Sequence, residues 1–139
     1  MLDNISKSQT YSILTSSVTA TDTNFVDTGL ALYLAPNTAY RITFIGYCSW
    51  DTDGARYKFV YTGALVHDDL YVTKEDGTPS KTTVGTAIPE ITSTVEVIKS
   101  EGLLVTSTGG TLYVQLAKYF DFGVDTSILE GSHLIATPL

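Results

Sequence analysis

Between residues 40 and 50 the chain alternates with a period of two. Tyr40, Ile42, Phe44, Gly46, Cys48 and Trp50 are interleaved with Arg41, Thr43 and Ser49. Successive side chains of a strand point to opposite faces, so one set is buried and the other faces outward. A helix would scatter the same apolar residues around its circumference, which excludes that fold for this stretch. Ile45 and Tyr47 interrupt the polarity of the outer face. An outer face that is itself apolar calls for a second cover, and another subunit would supply it.

The same alphabet of strands and turns runs along the rest of the chain. Tyr57, Phe59 and Tyr61 alternate with Arg56 and Lys58, after a turn at Asp53-Gly54. Residues 69–73 read as a short strand, closed by the polar loop 74–79. Residues 91–99, 103–107 and 111–118 are predicted to form a meander. Its hairpins fall at Ser100-Glu101-Gly102 and Thr108-Gly109-Gly110, with the glycines at positive φ. In the last of these strands Leu112, Val114 and Leu116 share one face, with Thr111, Tyr113 and Gln115 on the other. Residues 13–20, 30–34 and 132–137 complete about eight strands. No window shows convincing helical spacing. The expected fold is all-β: an antiparallel β-sandwich, jelly-roll-like, spanning residues 13–139 as one domain. Residues 1–12 are polar and lack alternation, which predicts an N-terminal arm used for attachment and not for folding.

Composition removes several functional classes. Eight Lys and Arg against fifteen Asp and Glu give a net charge of −7, a field that repels nucleic-acid backbones. Charged residues make up only 17% and hydrophobic ones 43%, the reverse of a disordered chain. The single Cys48 excludes an intrachain disulfide and a cysteine-based zinc site. The first residues lack the basic start and apolar block of a secretory signal, and no stretch is long and apolar enough for a membrane helix. The expectation is synthesis in a cytoplasm, with no export signal and no membrane insertion.

Catalytic constellations are missing. His67 and His133 are the only histidines, and no Gly-x-Ser-x-Gly elbow accompanies them. Ser132 and His133 are adjacent in a strand and would point apart. His67-Asp68-Asp69 has the residue types of a metal site but reads as a solvated turn. Asp51-Thr52-Asp53-Gly54 opens like a calcium loop, without the glutamate that an EF-hand needs. Glu90, Glu96, Glu101 and Glu130 are scattered singly, and Gly109-Gly110 lacks the lysine and helix of a phosphate loop. Cys48, on the apolar face of its strand, reads as a small buried hydrophobe. The expectation is a non-enzyme with no cofactor and no metal. The nine tyrosines carry more information. Tyr33, Tyr47 and Tyr113 fall on faces where water is expected, and together with Ile45 they are the predicted interface residues.

Two groups of motifs resemble a module of tailed-bacteriophage virion structural proteins. The first is Ala35-Pro36-Asn37-Thr38-Ala39-Tyr40-Arg41-Ile42, followed by Asp53-Gly54-Ala55-Arg56-Tyr57-Lys58-Phe59 and Thr62-Gly63. The second is Gly110-Thr111-Leu112-Tyr113-Val114-Gln115-Leu116-Ala117 with Ile128-Leu129-Glu130-Gly131-Ser132-His133-Leu134. The resemblance spans residues 30–139. It departs at Thr137-Pro138-Leu139, where the module often carries an arginine, and in the loops holding Trp50 and residues 119–122. It implies a jelly-roll sandwich, a homotrimer, and location in the virion after synthesis in the host cytoplasm. The implied role is a capsid decoration protein that binds and stabilises the head, with capsid or other virion proteins as partners. The alternative is the tip of a tail fibre that binds a receptor or host-surface glycan.

Overall fold

The alternation of residues 40–50 is realised in β4 (Ala39–Ser49), with Tyr40, Ile42, Phe44 and Cys48 buried. The computed structural model describes residues 9–49, 55–73, 79–85, 97–118 and 125–139. Around β4 it places β1 (Thr10–Ile13), β2 (Val18–Ala20), β3 (Val26–Leu34), β5 (Ala55–Tyr61) and β6 (Leu65–Thr73). The remaining strands are β7 (Pro79–Thr82), β8 (Val97–Thr106), β9 (Gly110–Lys118), β10 (Thr126–Ile128) and β11 (His133–Pro138). Every pairing is antiparallel, and no helix occurs among the described residues. The fold is the expected all-β antiparallel sandwich.

One sheet runs β1-β11-β4-β8-β6-β7, with β10 joining β4 beyond the end of β11 and β2 pairing with β10. The other runs β3-β9-β5. The orders β1-β11-β4-β8 and β3-β9-β5 are the wrapping of a jelly roll. Here β6 adds to the β8 edge of the large sheet. The two inner faces meet in an aromatic centre, where the Phe44 ring lies 5.5 Å from Tyr57 and 5.6 Å from Phe59. The Tyr57 hydroxyl and Ser100 Oγ are 2.9 Å apart, a buried hydrogen bond that joins the small sheet to the large one.

The turn from β3 to β4 carries the chain between sheets and explains the Asn-x-x-Tyr spacing. Asn37 takes a left-handed conformation, φ 52°, which asparagine tolerates better than most residues. Three residues on, the Tyr40 hydroxyl accepts the Ala35 N–H at 2.8 Å. Thr106 Oγ1, at the end of β8, donates to the Ala35 carbonyl at 2.6 Å and accepts the Thr38 N–H at 3.0 Å. Tyr40→Phe keeps the buried ring and leaves the Ala35 N–H without its partner. The expected cost is about 1–2 kcal/mol, read from urea midpoints.

Several sequence expectations are corrected. Residues 13–20 are two strands. Leu14 leaves the β1 ladder, with its N–H on the Ser132 carbonyl and its own carbonyl on the Gly131 N–H, and β2 then pairs with β10. The expected arm boundary after Ser12 falls inside β1, which zips against β11 from Thr10. Residues 100–102 are no hairpin but the middle of the continuous strand β8, and strands 103–107 and 111–118 are no meander, since β8 and β9 lie in different sheets. Gly102 is required by close approach: a Cβ there would run into the Asp69 carbonyl and lie 2.8 Å from Leu70 Cα. Gly109 and Gly110 do not take positive φ either. A Cβ on Gly110 would meet the backbone of Gly63. The described residues hold eleven strands instead of about eight.

Candidate functional site

Register places the outward side chains of the large sheet in rows that cross it. One row joins Ile13 of β1, His133 of β11, Ile45 of β4 and Lys99 of β8. Beside it Tyr47 stands opposite Val97. The next row runs Tyr11, Ile135, Thr43, Glu101, Tyr71 and Lys81. A third runs Thr137, Arg41, Leu103 and Asp69. The face therefore has two ends. Tyr11, Ile13, Tyr47 and Val97 are 67%, 52%, 39% and 44% exposed, with Ile45, Ile135 and His133 half-buried among them. This collection of large apolar side chains on one flat surface is what monomers avoid.

The other end is concave and carries charged side chains beside apolar ones. Arg41, Asp69, Tyr71, Glu101, Gly102, Leu103 and Leu139 line an open hollow of about 520 Å³. Lys81 Nζ lies 2.5 Å from Asp69 Oδ1, and His67 Nε2 lies 3.2 Å from Oδ2. The Lys81 hydrogen bond holds the Asp69 carboxyl below the usual carboxylate range, and Asp69 in turn raises the lysine. Asp68 faces the other way. Its carboxylate accepts the Val84 N–H at 2.9 Å, and desolvation raises its pKa. His67-Asp68-Asp69 is thus part of strand β6 and not a turn, with its alternate members on opposite faces. No cluster of three metal-ligating side chains occurs among the described residues.

The four predicted interface residues do not form one surface. Ile45 and Tyr47 lie on the outer face of the large sheet. Tyr33, on β3, and Tyr113, on β9, lie on the outer face of the small sheet, across the sandwich. That second face spends its polar groups locally: Gln115 Nε2 donates to Asp27 at 2.8 Å, and Lys58 Nζ sits 4.4 Å from the Phe25 ring centre. Tyr11, Ile13, Val97 and Tyr71 were not singled out from the sequence. Tyr11 and Ile13 flank Ser12 in a strand of four residues, too short for its alternation to be read from the sequence.

His133 packs 6.5 Å from the Tyr47 ring, and its Nδ1 lies 3.0 Å from the Gly131 carbonyl. Ser132 points inward and accepts the Tyr47 N–H, so the two side chains diverge as expected. Cys48 is buried, and desolvation pushes its thiol up to about 12. A buried thiol held in its protonated form is a poor nucleophile. Labelling of Cys48 by iodoacetamide at pH 8 is therefore expected only on unfolding, and labelling of the native protein at a free-thiol rate would contradict this placement. Trp50, the Asp51–Gly54 loop, Glu90, Glu96 and residues 119–122 lie outside the described residues, as do residues 1–8 of the expected arm.

No protein-family profile and no curated protein sequence matches the chain. Among solved structures it is similar to the CBM22-1 xylan-binding domain of Xyn10C from Paenibacillus barcinonensis. The identity is 12% and the TM-score 0.44, over 93% of this chain and 86% of that one.

Proposed function

We propose that the chain is a non-enzymatic structural protein of a tailed-bacteriophage virion, a homotrimer that decorates the capsid. The observation that carries this reading is the apolar end of the large sheet's outer face. Tyr11, Ile13, Ile45, Tyr47 and Val97 project there from three strands, β1, β4 and β8, held in register through β11. The occupant is a second copy of the chain. A charge of −7 favours burying a patch without carboxylates over one rich in them. The motif resemblance over residues 30–139 supports the virion setting and the threefold assembly. The sealed thiol of Cys48 and the divergence of Ser132 from His133 are consistent with a protein that binds and does not catalyse.

Co-sedimentation separates the virion roles. The purified protein should pellet with capsids prepared from phage that lack it, and not with isolated tails. Pelleting with tails alone would replace the decoration role with that of a fibre component. Pelleting with neither would overturn the virion reading.

A further inference from the structure

We propose that the hollow between β4, β8 and β6 is a binding site for a neutral saccharide. It is carried by a single chain and stands apart from the proposal about assembly. Tyr71 and Tyr11 share a row but are four strand spacings apart, roughly 19 Å, so both ends of the face can be occupied at once.

Three features define the ligand class. Tyr71, 42% exposed, offers an aromatic surface with a polar tip, suited to the C–H face of a sugar ring whose hydroxyls remain wet. The hollow is also lined by polar groups that suit hydroxyls: the Glu101 carboxylate, the Arg41 guanidinium and Asp69 Oδ2. Asp69 is already held by Lys81 and His67, so little side-chain freedom is lost when it accepts from a ligand. Charge then decides between candidates. Both carboxylates already face a lysine, Asp69 on Lys81 and Glu101 with Lys99 Nζ 3.9 Å away, so neither is left to select a cation. The volume, about 520 Å³, is that of a small-molecule site.

The test is a titration of the full chain, followed by backbone amide NMR shifts, with maltose, cellobiose, lactose and chitobiose, and with sialyllactose as a charged arm. At least one neutral disaccharide should shift the amides of Tyr71, Gly102 and Leu103 in a saturable way below about 50 mM. Tyr71→Ala should weaken that binding at least about tenfold, and Glu101→Gln should weaken it as well, with melting temperatures unchanged. Tyr71→Phe should retain most of it. Three results would overturn the proposal: no saturable shift with any neutral sugar, shifts with sialyllactose alone, or equal binding by Tyr71→Ala.

Discussion

Phe44→Ala is expected to remove about 3–5 kcal/mol of unfolding free energy, through lost transfer energy and the cavity left behind. Phe44 is fully buried at the centre of β4, and its ring touches both aromatic side chains that β5 sends across the sandwich. Those neighbours meet edge to face, 6.0 Å apart, and cannot both move in to fill the gap. Thr43→Ala, one residue away on the outer face, should stay within about 0.5 kcal/mol. Urea midpoints measure both. Equal effects would invert the face assignment of the strand.

Gly102→Ala should destabilise by more than about 3 kcal/mol, against the usual direction of the change. Alanine in a strand interior is ordinarily better than glycine by roughly 0.5–1 kcal/mol. At Gly102 the new methyl meets the Asp69 carbonyl and Leu70 Cα, both backbone atoms of β6. No rotamer relieves that contact. β6 must part from β8, and the pairing of Leu70 with Gly102 is lost. A neutral or stabilised variant would mean that the two strands do not approach so closely.

Gly102 also shows where the sequence ceases to be legible. A glycine after Ser100-Glu101 has the local chemistry of a hairpin, and nothing within ten residues distinguishes a turn from a close approach of another strand. The contact that decides comes from Asp69, more than thirty positions away. Alternation, in contrast, is local. It placed Tyr40, Ile42, Phe44 and Cys48 inward, and Leu112, Val114 and Leu116 as well, as the structure has them. Pairing is not local, so the adjacent strands β8 and β9 could be read as partners although the fold sends them to different sheets.

The candidate surface was half legible for the same reason. Ile45 and Tyr47 stood out because they interrupt a polar face. Tyr33 and Tyr113 stood out in the same way, but which sheet each belongs to is set by topology, and they lie on the far side. The hollow gave no local signal. Arg41, Glu101 and Tyr71 come from three strands and meet only because β4, β8 and β6 are neighbours in the sheet.

The central claim is that the apolar end of the outer face is buried between copies of the chain. Light scattering on the purified protein at micromolar concentration tests it directly. The mass should correspond to three copies of the 15.0 kDa chain, about 45 kDa, and Ile45→Glu should shift it to the monomer without loss of the folded spectrum. A wild-type mass of 15.0 kDa at that concentration would contradict the account.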